Sequence, residues 1–241
     1  MSNRGLYIDF RKEVPVMTIT AGTAATGADN SVNLISFGKH ALEMQYEGAS
    51  TDIGFTRSTS GLIIPNDNTD NEGVELYTSA LADANIRGQF KVGTDPAFWM
   101  WGKIIVPDVS DYDVACVGLR KAAAVADVAS HAATITAYTD CALLNLNAGA
   151  IYTGTRLNSG AGVLTDTTQT VADGVAMTFA VKVSAAGVVT FLVDGAAPTV
   201  NTNTLTFDST DVVVPFMHFT KNASAASDTP PILVELYADL Q

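Results

Sequence analysis

Residues 177–195, MTFAVKVSAAGVVTFLVDG, constrain the fold of this chain more than any other stretch. Phe179, Val181 and Val183 alternate with Thr178, Ala180 and Lys182, and a second apolar run, Val188–Val193, follows Ala185-Ala186-Gly187. A period of two in β-branched and aromatic side chains belongs to extended backbone. The glycine-containing break predicts a tight turn between two antiparallel strands. Asp194-Gly195 then closes the returning strand, where glycine accepts positive φ without a steric cost.

The same grammar recurs along the chain. Val16–Thr20, Val32–Phe37, His40–Tyr46, Gly61–Ile64 and Val74–Thr78 read as strands separated by polar or glycine-containing breaks. Phe98–Val106, FWMWGKIIV, is stopped by Pro107; Trp99 and Trp101 fall on one face, Phe98 and Met100 on the other. With both faces apolar, this strand is expected to be covered on two sides. Val114–Leu119, Ala133–Tyr138, Cys141–Leu146, Ala150–Thr153, Leu205–Phe207, Val212–Phe219 and Ile232–Tyr237 continue the series. Arg120–His131, rich in alanine, reads as a short helix or ordered loop, Asp108–Asp113 as an acidic turn and Asn158–Asp173 as loop. About a dozen short strands with frequent turns and almost no helix predict an all-β chain, a two-sheet antiparallel β-sandwich or jelly roll. Residues 1–40 are expected to form an N-terminal arm and residues 41–241 the sandwich domain.

At 241 residues the chain can bury a substantial core without disulfides or a structural metal. Its net charge of −12 argues against a nucleic-acid partner, because phosphate binding needs a basic face. The charge is uneven: Arg4, Arg11 and Lys12 against Asp9 make the first twelve residues +2 and leave −14 for the rest. Such a basic tip is either a solvated terminus or an arm that reaches an acidic neighbour. No apolar run approaches the roughly 20 residues of a membrane helix. The opening residues carry charge and lack the apolar segment of a secretory signal, which leads to the expectation of a cytoplasmic product. Cys116 and Cys141, both in apolar runs, are expected to be buried and reduced.

No residue set announces a reaction. A GxSxG turn is absent, and His40, His131 and His218 are scattered, with His218 in VVVPFMHFT reading as a core or edge histidine. Glu43 and Glu47 share a strand face with Gln45, a spacing that paired-carboxylate hydrolysis can use but that a solvated face also explains. The acidic loops Asp67–Gly73 and Asp108–Asp113 read as turn formers before they read as calcium sites. No cysteine–histidine spacing points to zinc, and no metal or cofactor is expected. Trp99 and Trp101 are read as a core or subunit contact, with a sugar-stacking platform as the alternative.

From Phe98 onward the FWMWGKIIV strand, VACVGLRK, the hairpin and the closing VVVPFMHF…ILVELYADL strands resemble a concanavalin A-like jelly roll of the laminin-G and laminarinase type. More narrowly, GVELY, KVGTDPAF, VSDYDVACVGLRKA, YTDCALLNLNAGAIY, SAAGVVTFLVDGAAPT and VVVPFMHFT resemble, in that order across roughly residues 72–220, virion proteins of tailed bacteriophages. That resemblance implies a capsid decoration (cement) protein on the virion surface, assembled in the bacterial host cytoplasm. Its implied partners are its own copies, as a homotrimer, and the major capsid protein, with no membrane or nucleic acid. Arg4, Arg11, Lys12, Trp99 and Trp101 are the candidate assembly contacts. The glutamate-rich strand of laminarinase-type hydrolases is absent, so the chain is expected not to be an enzyme. The alternative implied function is a carbohydrate-binding module of a phage tail or fibre.

Overall fold

The structure is a computed structural model; it describes residues 5–13, 15–18, 32–37, 40–47, 56–64, 73–79, 81, 87–123, 133–221 and 229–241. In chain order the strands begin with β1 (Leu6–Asp9), β2 (Pro15–Thr18), β3 (Val32–Phe37), β4 (His40–Glu47), β5 (Thr56–Arg57) and β6 (Leu62–Ile63). They continue with β7 (Gly73–Tyr77), β8 (Phe90–Lys91), β9 (Phe98–Ile105), β10 (Tyr112–Lys121), β11 (Cys141–Asn147) and β12 (Ala150–Arg156). The last are β13 (Val163–Thr170), β14 (Ala176–Val183), β15 (Val189–Val193), β16 (Val212–Lys221) and β17 (Ile232–Leu240). A 3-10 turn at Val109–Asp111 leads into β10, and one helical turn, α1 (Ala133–Thr136), precedes β11.

The strands form two antiparallel sheets. The first runs β15-β14-β9-β17-β6-β5, with β1 on β17; the second runs β13-β12-β11-β10-β16-β7-β4-β3-β2, with β8 on β16. The period of two in each strand decides what lies between them. Phe98, Met100 and Ile104 of β9, Phe179, Val181 and Val183 of β14, and Leu233 and Leu236 of β17 point inward from the first sheet. Leu42, Met44, Leu76, Val117, Leu119, Leu144, Leu146, Met217 and Phe219 meet them from the second. At Gly102 the sheets come so close that a Cβ would stand 3.0 Å from Val117 Cγ1, so glycine sets the spacing there. This is a two-sheet antiparallel β-sandwich, as the strand pattern predicts.

The hairpin forms as read, with Phe179 opposite Val193 and Val183 opposite Val189. Gly187 takes φ 88° at its turn, and its N–H donates to Ser184 O at 2.8 Å. The described part of residues 1–40 contributes to both sheets. β1 pairs with β17, β2 and β3 extend the second sheet from β4, and Phe10 meets Phe37 edge-on at 5.0 Å.

Several segments differ from expectation. Ala133–Tyr138 contains the α1 turn, not a strand: Ile135 and Tyr138, three apart, both pack onto the second sheet, and side chains three apart share a face on a helical turn but not on an extended strand. Arg120 and Lys121 end β10, while residues 124–131 of the expected helix lie outside the described residues. Within the expected loop Asn158–Asp173 stands β13, whose only buried side chain is Thr167. It carries almost no apolar signal because it is an edge strand built of threonine, a residue that suits extended backbone without burial. Leu205–Phe207 contributes an isolated bridge, Thr206 to Val188.

Candidate functional site

The outer face of the first sheet carries the arrangement with most capacity to bind. Antiparallel register lines up side chains from five strands in transverse rows. The central row is Tyr7, Tyr237, Trp101, Ala180 and Leu192; on one side lie Asp9, Glu235, Lys103 and Thr178, and on the other Asp239, Trp99, Lys182 and Thr190. Trp101 stacks on Tyr237 with ring centroids 5.9 Å apart and planes 16° apart, and Trp99 tilts against the same tyrosine at 5.3 Å. Ala180, the next member of the central row, has only a methyl group. It leaves a groove of about 290 Å³ along Trp99 and Trp101, floored by Ala180 and flanked by Leu192, Thr178, Lys103 and Glu235. The Lys182 ammonium lies 5.5 Å from the Trp99 ring centroid.

The sequence expectation of a strand covered on both sides is met only on the inner face. Trp99 and Trp101 are half-buried, and among the described residues no second layer lies over them. Their apolar neighbours in the same strand are fully buried in the sandwich, so one strand serves the core with one face and the groove with the other.

The corner beside this groove is fixed by charge. Arg11 donates from Nε to Asp9 Oδ1 at 2.8 Å and also pairs with Glu235, while Lys12 Nζ reaches Asp9 Oδ2 at 2.9 Å. Hydrogen bonds from Arg11, and secondarily from Lys12, outweigh burial and hold the Asp9 carboxyl well below the usual carboxylate range. The expected assembly contacts are thus distributed as follows. Trp99 and Trp101 sit together in the groove, and Arg11 and Lys12 are engaged within the chain at its edge. Arg4 lies outside the described residues.

The outer face of the second sheet is built oppositely. Glu75 of β7, fully buried, accepts from Arg120 Nε of β10 at 2.6 Å and from Tyr138 Oη at 2.7 Å. His218 of β16 lies alongside, with Nδ1 3.5 Å from Glu75 Oε2 and Nε2 2.7 Å from Thr220 Oγ1. The Arg120 guanidinium lies over the Tyr77 ring at 4.7 Å and donates to the carbonyls of Lys121 and Ala123. Burial alone would raise the Glu75 carboxyl, but Arg120, His218 and Tyr138 together hold it below its ordinary value. Burial, and then the Glu75 charge, push the Tyr138 hydroxyl far upward. Ile135 and Tyr138, from the segment before β11, pack over this face with Phe216 and Leu143. The result is an ionised cluster, with Glu75 held by Arg120 and Tyr138 and its members at most a few per cent exposed.

The remaining candidates resolve locally. Asp108 accepts from Ser110 N and Oγ at 3.1 and 2.6 Å, the work of a turn former. Glu43 accepts from Ser79 Oγ at 2.8 Å. Residues 65–72, His131 and Arg4 lie outside the described residues. Cys116 and Cys141 are buried and unbridged, and burial pushes the Cys141 thiol up to about 12. Among the described residues no group of three or more His, Cys, Asp or Glu side chains is placed to hold a metal ion.

Sequence reading missed the Glu75–Arg120–Tyr138–His218 cluster entirely. Its members come from three strands and one connecting segment, and they are brought together by the pairings β7–β16 and β16–β10. His218 opposite both Glu75 and Cys116 was invisible without that register; a buried strand carrying an isolated charge was the one available signal.

Comparison with known proteins defines the architecture and no more. No protein-family model and no curated protein matches the chain. Among solved structures, the potassium-bound carbohydrate recognition domain of Emp46p is similar with a TM-score of 0.52 at 8% identity, over 82% of this chain and 87% of that one. The metal-free form of that domain gives 0.51 at 6% identity over the same shares. An alginate lyase from Pseudomonas aeruginosa, PA1167, gives 0.48 at 12% identity over 80% of this chain and 88% of its own. The two matches to the Emp46p domain establish the concanavalin A-like fold.

The presence of alginate lyases among the similar structures also corrects the expectation that the chain is not an enzyme. That exclusion rested on missing local motifs. In an antiparallel sandwich, polar groups from separate strands converge through register, as Glu75, Arg120 and His218 do, so the lack of a linear motif excludes no reaction.

Proposed function

We propose that this chain is a binding protein of the concanavalin A-like fold that takes a saccharide on the aromatic groove of its first sheet. The observation that carries the reading is the half-buried Trp99–Trp101–Tyr237 group standing beside the trough at Ala180. Aromatic rings backed by other rings offer flat, rigid apolar surface to the C–H faces of a sugar at little entropic cost. Polar groups at the rim, Thr178 and Glu235, are placed to meet its hydroxyls. The carbohydrate recognition domains among the similar structures are compatible with this reading. A glycan array followed by calorimetry on the hits tests it: Trp101→Ala should weaken binding roughly tenfold or more. An array without hits, or hits indifferent to Trp101, would count against the groove.

A second reading concerns where the protein works. The segments resembling tailed-phage virion proteins correspond to β7, β10, β11, β15 and β16, the strands that frame the sandwich. They support placement on a virion, as a decoration protein on the head that contacts its own copies and the major capsid protein, or as part of a tail or fibre. Labelling the chain in intact particles distinguishes head from tail. Light scattering on the purified chain tests the trimer, and a monomer at micromolar concentration would weigh against it.

A further inference from the structure

Resting on the saccharide reading of the groove, we propose that its ligand is an acidic saccharide, a uronate-bearing chain whose carboxylates are held by Lys103 and Lys182. Lys103 lies in β9 two residues beyond Trp101 on the same face and lines the groove. It forms no ion pair with any described residue, although Glu235 is its direct cross-strand neighbour. The reason lies in the corner: Glu235 is taken by Arg11, which leaves the Lys103 ammonium uncommitted at the groove. At the opposite end Lys182, opposite Trp99 in the register, has the Trp99 ring as its neighbour and likewise no carboxylate. The two lysines therefore bracket the aromatic row, four residues apart along β9, or about 13 Å of extended chain.

This placement runs against the charge of the molecule. A body of net charge −12 repels anions at long range, so two ammonium groups with no carboxylate partner among the described residues, beside one apolar groove, are local exceptions. Among nearby carboxylates, Glu235 is paired with Arg11, and Asp194 Oδ1 accepts the Thr178 N–H at 2.8 Å. A neutral sugar would use the rings and leave both ammonium groups unused. A uronate ring uses the same stacking face and adds a charge-assisted hydrogen bond at its carboxylate, geometry in which lysine acts as a point charge.

The test uses galacturonate and glucuronate oligomers, each beside its carboxyl-reduced neutral counterpart, titrated into the full-length chain by calorimetry at fixed salt. At least one acidic oligomer should bind roughly tenfold more tightly than its reduced form. Lys103→Gln should remove most of that ratio while leaving the affinity for the reduced form in place, and Lys103→Arg should restore part of it. Equal affinities for each acidic and neutral pair, or a ratio unchanged in Lys103→Gln, would overturn the charge selection alone. Binding of none of the four oligomers would overturn the saccharide reading together with it.

Discussion

The two outer faces of this sandwich solve opposite problems with the same backbone. On the second sheet a carboxylate, a guanidinium, an imidazole and a phenol are buried together, with the other three gathered around the carboxylate. On the first sheet large aromatic rings stand half-exposed beside a trough, with one charged corner clamped and two lysines left uncommitted. Polar groups can be hidden only where each finds a partner, because an unpaired buried charge costs several kcal/mol. Aromatic surface is left open where a ligand, not the chain itself, completes its packing. The difference separates a face that stabilises the molecule from a face available to act on something else.

The sharpest way to break this contrast is to attack the closed face. Arg120→Met leaves Glu75 ionised and unpaired in the interior, and should cost about 3–5 kcal/mol of unfolding free energy in urea titrations. Adding Glu75→Gln to that variant should return part of the loss, since the uncompensated charge is then gone. A loss below about 1 kcal/mol for Arg120→Met would mean that water reaches the cluster, and the contrast between the faces would collapse.

The clamped corner makes a pH prediction of definite sign. Asp9 and Glu75 are both depressed in the folded chain, so their contribution to stability is present above the unfolded carboxyl value, about 4, and is lost as pH falls below it. The urea midpoint should fall between pH 5 and pH 2.5, and Asp9→Asn should flatten part of that acid limb while shifting the midpoint at pH 7 downward. An acid limb unchanged in Asp9→Asn would show that Arg11 and Lys12 do not hold the carboxylate in solution.

The open face should respond in the reverse sense. Trp101→Ala removes rings that no second layer covers, and should cost only about 1 kcal/mol of stability, far less than the 3–5 kcal/mol of a core aromatic. Lys103→Gln should lie within about 0.5 kcal/mol of the parent, the expectation for a half-buried side chain with no ion pair among the described residues. If Trp101→Ala instead destabilises like a core substitution, the aromatic group is structural and the groove is incidental.

Much of the architecture was legible in the chain itself, for a physical reason. Where a strand buries one face, its side chains must alternate, and Phe179-Ala180-Val181-Lys182-Val183 states that alternation residue by residue. β13 escaped because an edge strand of threonines buries little and so leaves no apolar period. α1 escaped because its four residues, Ala133–Thr136, are too short a run for a helical period to show.

The site was half legible. Trp99 and Trp101 drew notice as a pair, but apolar neighbours on the other face made burial on both sides the natural expectation. That Ala180 opens a trough beside Trp101 depends on the β9–β14 register, and that Arg11 withdraws Glu235 from Lys103 depends on β1 pairing with β17. Neither follows from local spacing.

Trp99 and Trp101 are the two tryptophans of the chain, so tryptophan emission, excited selectively over the tyrosines, reports on the groove. Titrating a saccharide that binds should shift or quench that emission in step with the heat of binding, and Trp101→Ala should move both titrations to roughly tenfold higher saccharide concentration or beyond. A saccharide that binds with measurable heat yet leaves the tryptophan emission unmoved would place the functional surface elsewhere on the sandwich.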